Sequence, residues 1–254
     1  MALLEINNLN HYFGGLHAVC DVGFSVKKGM IKAVIGPNGA GKTTLFNLIC
    51  GNISPHSGSI IFKKKSIFSL KPFQIAACGL SRTFQNIRLF PGMTTIDNVL
   101  IGLHTRSKAG FIAGMLNLPW TWREEKETRA RAMELLELLD IADLADTDVS
   151  NLSFGQQRSV ELARALAVEP DIILLDEPAA GLNIYETGEL AALIGRVRDK
   201  GVTVLLVEHD MSLVMDISDE IVVLSYGQVI AEDIPSNIQK NKEVIKIYLG
   251  EEDA

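Results

Sequence analysis

Cysteine is scarce in this 254-residue chain: there are three, Cys20, Cys50 and Cys78, far apart and without a C-x-x-C pair or a neighbouring row of histidines. That spacing excludes a disulfide framework and a cysteine zinc site, and leaves three buried thiols suited to a reducing compartment. Long apolar runs are missing too, since nothing approaches about 18 consecutive apolar residues. Met1–Glu5 shows neither the basic nor the apolar region of an export signal. The expectation is a chain that does not itself cross a membrane, with docking on one left open. There is no block of lysine and arginine either. The 24 basic residues are outnumbered by 31 acidic ones, for a net charge of -7, which argues against nucleic acid as a partner. Internal repeats and low-complexity linkers are also absent, which excludes a solenoid. What remains is a globular composition, 47% hydrophobic and 22% charged, at a length that suits one large domain or two small ones.

The hydrophobic pattern changes along the chain. Leu3–Ile6 and the alternating Val22, Phe24 and Val26 read as strands with one covered face, and Gly58–Phe62 as another. Ile31–Ile35 is an apolar run that stops at Gly36-Pro37-Asn38-Gly39-Ala40-Gly41 and gives way to a helical stretch from Lys42 to Cys50. Pro72–Cys78 predicts a short helix with proline in its first turn. From about Thr94 to Val168 the spacing is helical, with Leu135, Leu136, Leu138 and Leu139 opposite Arg129, Arg131, Glu134 and Glu137. Ile172–Leu175, Val202–Val207 and Ile221–Leu224 then alternate with the helical patterns Glu186–Lys200 and Met211–Ile217, which predicts parallel strands covered by helices on both faces. The fold class expected is α/β: a core with an N-terminal antiparallel β portion and an inserted helical subdomain. The chain forms a single domain, 1–254, whose core is 1–93 and 169–254 and whose insertion is 94–168.

Gly36–Thr43 fits G-x-x-x-x-G-K-[ST] and lies between a strand and a helix, where the pattern has a mechanism. Glycines let the backbone N–H groups of the loop point inward, and the helix start adds partial positive charge, so a triphosphate meets a concave nest of donors. Gly36, Pro37, Asn38, Gly39, Ala40, Gly41, Lys42, Thr43 and Thr44 are the expected nucleotide-binding residues. Lys42 reaches the β- and γ-phosphates and Thr43 offers a hydroxyl to Mg²⁺. A Gly-rich turn that merely caps a helix is the bland alternative, and the strand–loop–helix context disfavours it.

Asp176 and Glu177 follow a buried strand, so two carboxylates emerge at the sheet edge where ligands of open α/β folds bind. Asp176 is placed to hold Mg²⁺ through its water shell, and Glu177 to polarise the water that attacks the γ-phosphate. His209 follows another such strand and is assigned to the γ-phosphate. Gln85, after the strand-like Ser81–Phe84, is assigned to the metal or the water, although a glutamine alone is as readily a plain loop residue. Leu152–Gln156 opens a further helix, with Ser153 and Gln156 at capping-box spacing. Its free N–H groups make a second anion site, or simply an ordinary capped helix.

In that order, the loop Gly36–Thr43, Gln85, the signature Leu152–Gln156, Asp176-Glu177 and His209 resemble the nucleotide-binding subunits of ABC transporters over nearly the whole chain. Within that family the chain is most similar to the ATPases of branched-chain amino-acid importers, on Ser153-Phe154-Gly155, on Glu177–Asn183, on Tyr248-Leu249-Gly250, and on the extra residues between Gln85 and the signature. The resemblance implies a P-loop ATPase with ATP and Mg²⁺ as cofactors. Phe13 stacks on adenine, with Tyr12 as its near alternative. Two subunits sandwich two ATP molecules, Ser153, Gly155 and Gln156 acting on the partner's nucleotide. It further implies two transmembrane permease subunits as partners, a second ATPase subunit forming a homodimer or heterodimer, a periplasmic solute-binding protein acting indirectly, and a place on the cytoplasmic face of the inner or plasma membrane. Phe154 and Asn183 depart from the wider family, which often has glycine and aspartate there. Alternatives are an ATPase of urea or amide import or of lipopolysaccharide export, and a soluble ABC-type ATPase of DNA repair or translation. A P-loop GTPase or kinase is disfavoured, because Asn241-Lys-Glu-Val244 lacks the aspartate that would read guanine. The apolar stretch 109–122, with both tryptophans, is either a projection toward membrane subunits or lipid, or core packed on the Leu135–Leu139 helix. The transported solute is not written in this chain.

Overall fold

A computed structural model describes residues 1–83, 85, 87–104 and 119–249. The stretch 109–122 therefore lies outside the described residues, save for the first turn of a helix that starts at Pro119. Phe84 and Gly250 lie outside them as well. Two sheets organise the chain. In the first, β1 (Ala2–Phe13) pairs antiparallel with β2 (Leu16–Lys27) and with β4 (Ser57–Phe62), and β5 (Lys65–Ser66) closes the edge, in the order β2-β1-β4-β5. Both opening strands are longer than their apolar alternation suggests, because polar residues such as Asn7 and Asn10 still pair through their backbones.

The second sheet has the order β10-β9-β3-β8-β7-β6. Its members are β3 (Ile31–Ile35), β6 (Leu80–Arg82), β7 (Ile172–Asp176), β8 (Thr203–Val207), β9 (Glu220–Ser225) and β10 (Gln228–Asp233). All neighbours run parallel except β9 and β10. The continuous apolar runs follow from double coverage. Ala33, Ile173, Leu206 and Val223 enter one core, while Val34, Leu174, Leu205 and Val222 enter the other. The second core is filled by helix α1 (Lys42–Ile49), through Leu45, Phe46 and Ile49, and by the inner face of the antiparallel sheet, Leu4, Ile6 and Leu9.

α2 (Pro72–Ala77) lies before β6 and puts Ile75 into the second core. The first core is covered by α3 (Thr95–His104), α4 (Pro119–Leu138) and α5 (Phe154–Ala167), and after β7 by α6 (Ile184–Asp199) and α7 (Met211–Ile217). Ala132 and Leu136 of α4, and Leu139 just after it, are buried against Ile96 and Val99 of α3 and Val160 of α5, so the helical part shares one continuous core with the sheet. Two short helices end the chain, α8 (Pro235–Ile238) and α9 (Lys242–Leu249). The β9–β10 hairpin and α8 were not expected from the sequence. The hairpin turns at Tyr226 and Gly227, both at positive φ (47° and 78°), the geometry of a two-residue turn that follows strand twist. Cys50 is buried and Cys20 and Cys78 are half-buried, all three free. No helix among the described residues is long and apolar enough to cross a membrane.

Candidate functional site

Parallel strands end on one edge, and β3, β8 and β7 are adjacent there. The segments that follow them, Gly36–Gly41, Glu208–Asp210 and Asp176-Glu177, are thereby brought side by side, which is the crevice where α/β sheets bind ligands. The loop after β3 is braced from outside. Gly227 donates its N–H to Ala40 O at 3.0 Å, and Cys20 of β2 donates to Gly227 O at 2.8 Å. Two glycines are forced by close approach: a Cβ on Gly36 would meet Leu224 O at 2.1 Å, and one on Gly41 would meet Ala18 O at 2.5 Å, the latter at φ 99°. Gly41 caps α1, and the first amides of that helix, from Lys42 on, have no intrahelical acceptor.

Lys42 is 7% exposed and folds back over the loop, donating to Gly36 O at 2.6 Å and Pro37 O at 3.0 Å. Burial lowers the pKa of its ammonium, and the carboxylates of Glu177 and Asp176 partly restore it. Asp176 is 4% exposed at the end of β7. Glu177 follows at φ 48°, a left-handed conformation rare for a residue with a side chain, held by its N–H on Val207 O at 2.9 Å and by Ala180 N–H on its own carbonyl at 3.1 Å. Gln85 donates Nε2–H to Glu177 Oε2 at 2.8 Å, and His209 Nδ1 lies 4.0 Å from the same oxygen. Lys42, Asp176, Glu177, Gln85 and His209 thus converge.

Three supports carry no signal in the local sequence pattern. The fully buried Glu208 accepts from Ala179 N–H at 2.7 Å, from His209 N–H at 2.9 Å and from Asp210 N–H at 3.3 Å, so it ties the loop after Glu177 to the loop carrying His209. Arg158 of α5 donates to Gln85 O at 2.7 Å. Arg82 of β6 pairs with Asp176 at 2.6 Å. The Tyr248 hydroxyl of α9 also faces the Gly36 backbone, with burial pushing its pKa up to about 12. Nothing in the sequence says which acid Arg82 meets.

Two other expected groups make none of the contacts just described. Phe13 is half exposed at the end of β1, edge-on to His11 with ring centroids 4.6 Å apart, while Tyr12 stacks on His17 at 3.9 Å. Phe13 is therefore the freer of the two rings. Ser153 caps α5 in the expected box: Gln156 N–H donates to Ser153 Oγ at 3.3 Å and Ser153 N–H to Gln156 Oε1 at 2.9 Å. Ser153, Gly155 and Gln156 line a cavity of about 340 Å³ with Glu186 and Arg196, and none of its lining residues belongs to the loop after β3. One carboxylate (Asp176), one hydroxyl (Thr43) and one amide oxygen (Gln85) are hard donors of the kind magnesium takes together with phosphate oxygens. No three-residue His, Cys, Asp or Glu cage for a metal exists among the described residues.

Residues 19–180 match the family model described as ABC transporter. The chain is 45% identical over 250 residues to the high-affinity branched-chain amino acid transport ATP-binding protein BraF of Pseudomonas aeruginosa, covering 98% of each. It is 44% identical over 250 residues, again 98% of each, to the protein LivG of the same description from Escherichia coli. A crystal structure of an ATP-binding cassette of an ABC transporter in its ADP conformation superimposes with a TM-score of 0.86 at 33% identity, covering 99% of this chain and 100% of that one.

Proposed function

Because this chain belongs to the ABC transporter family, we propose that it is the ATP-binding and ATP-hydrolysing subunit of an importer for branched-chain amino acids. The observation that carries the enzymatic part is the convergence of Lys42, Asp176, Glu177, Gln85 and His209 on one sheet edge, with Gln85 bonded to Glu177 at 2.8 Å. The solute rests on the near full-length similarity to BraF and LivG.

In this reading, the amides of the loop and of the first turn of α1, from Asn38 to Thr44, cradle the phosphates of ATP. Lys42 exchanges the carbonyls of Gly36 and Pro37 for β- and γ-phosphate oxygens. Thr43, Asp176 and Gln85 would hold magnesium, which would supply positive charge against the negative charge that develops on the phosphates. Glu177 accepts a proton from the attacking water. His209 then faces the γ-phosphate, and Phe13 stacks on the adenine. Ser153, Gly155 and Gln156 act on the nucleotide of a second ATPase subunit, in keeping with a cavity that shares no lining residue with this loop. Permease subunits carry the pair on the cytoplasmic face of the membrane, and a periplasmic solute-binding protein delivers the solute.

Reconstitution tests this. With its permease and solute-binding partners in proteoliposomes, the chain should drive ATP-dependent uptake of leucine, isoleucine or valine. ATP-driven uptake of urea or a short amide instead would overturn the solute assignment, and ATP hydrolysis with no solute uptake in proteoliposomes that hold the permease and solute-binding partners would overturn the transport assignment.

A further inference from the structure

Arg82 lies at the end of β6, three residues ahead of Gln85, and its side chain is 9% exposed. It is held at several points. Nη2 donates to Asp176 Oδ2 at 2.6 Å, Nη1 donates to Asn47 Oδ1 on α1 at 2.7 Å, and the guanidinium lies 5.7 Å from the centroid of the Phe46 ring. Asp176 is itself 5% exposed by side chain. A planar guanidinium with fixed donors orients a carboxylate as a flexible ammonium does not. The bond to Arg82 uses one oxygen of Asp176, and the other takes no part in it.

We propose that Arg82 is the positioning residue of the metal carboxylate: it fixes the Asp176 side chain by one oxygen, so that the other is presented to the magnesium of bound Mg·ATP. The proposal rests on the reading of Asp176 as a magnesium ligand given above. Groups that orient a ligand to a metal contribute to metal affinity although they never touch it. The same residue joins three parts of the site. Through Asn47 and Phe46 it is anchored on the helix that follows the phosphate loop, through Asp176 it reaches the metal position, and along the chain it leads into Gln85. A displacement of the Gln85 segment that pulls on Arg82 loosens Asp176, which makes metal retention sensitive to whatever moves that segment.

The test is nucleotide and metal binding, with turnover left aside. Dissociation constants for ATP are measured on the full chain with EDTA and with saturating Mg²⁺, and Mn²⁺ binding at saturating ATP is followed by electron paramagnetic resonance. Arg82→Gln should leave the EDTA value nearly unchanged and weaken Mn²⁺ binding by about tenfold or more. Arg82→Lys, which keeps the charge but cannot span Asn47 and Asp176 together, should recover part of the loss. If Arg82→Gln does not fold, Arg82→Lys alone decides, since it should still bind Mn²⁺ more weakly than the wild-type chain. Parallel loss of ATP affinity with and without metal, or an unchanged Mn²⁺ affinity in the folded variants, would overturn the proposal and leave Arg82 a structural pair. A wild-type chain that binds no ATP would instead overturn the nucleotide reading on which it rests.

Discussion

At Glu177 the backbone is held in a left-handed conformation, φ 48°, by hydrogen bonds to Val207 and Ala180, and the carboxylate is occupied by the Gln85 amide. Strain of this kind persists where the surroundings over-determine it. Replacing the carboxylate by an isosteric amide keeps the shape and removes the proton acceptor, so Glu177→Gln should bind Mg·ATP like the wild type and hydrolyse it about 10²–10⁴-fold more slowly. Single-turnover phosphate release, read beside nucleotide binding, checks it. Gly36→Ala should fold and lose detectable ATP binding, because its methyl would collide with Leu224 O at 2.1 Å and push the loop off its nest; circular dichroism beside equilibrium ATP titration separates the two. Most residues of the candidate site could be read from the sequence because each sits in a local pattern, a loop between strand and helix or an acid after an apolar run. Arg82 and Glu208 could not. Their partners, Asp176 and Ala179, are brought to them by topology, and no local spacing encodes that.

Among the elements, α5 depends on its start. Ser153 satisfies an orphan N–H of the first turn and Gln156 reciprocates. Ser153→Ala should therefore cost about 1 kcal/mol, roughly 2–4 °C in melting temperature, and this can be read by calorimetry on the isolated chain. Strand β1 offers a pH-dependent contribution. His11, 6% exposed, has its Nδ1 3.1 Å from Ser54 O and 3.2 Å from His56 Nδ1, which also accepts from Tyr12 N–H. The consistent assignment is an Nδ1–H tautomer for His11, with its buried Nε2 unpartnered. Burial, and next the charge of His56, lower the His11 pKa below the ordinary 6.5, against the opposing Ser54 bond. The folded state then binds fewer protons than the unfolded one between the two values. The stabilisation is full above about pH 6.5 and is lost as the pH falls through the window below it. Urea midpoints measured from about pH 7.5 to about pH 5 should fall more steeply for the wild type than for His11→Gln. Strands buried on both faces, such as β3 and β8, could be read from their unbroken apolar runs. The β9–β10 hairpin could not, because its second strand is only half-buried and its turn, Tyr226-Gly227, puts an aromatic at positive φ where turn chemistry favours Asn or Asp.

For the whole molecule, the arrangement follows from strand order. With β3 between β8 and β9, the loop Gly36–Gly41 lies beside His209 and one strand from Asp176, while Ser153, Gly155 and Gln156 line a cavity to which that loop contributes no residue. In the proposed function, two phosphate-binding helix starts that share no cavity call for a second copy or a related subunit. Mg·ATP should therefore drive Glu177→Gln from monomer to dimer, or into a heterodimer with its related subunit, in sedimentation experiments. The α/β alternation and the helical insertion could be read from periodicity, whereas the sharing of one core between helices and sheet came from long-range packing of Leu136, Val160 and Leu175. The central claim is that this edge binds Mg·ATP and that Glu177 turns it over. The most direct measurement is the paired titration of bound ATP and released phosphate on the wild type and Glu177→Gln at equal protein concentration. Equal ATP binding with phosphate release reduced about a hundredfold or more is the predicted result, and undiminished release by Glu177→Gln would contradict the account.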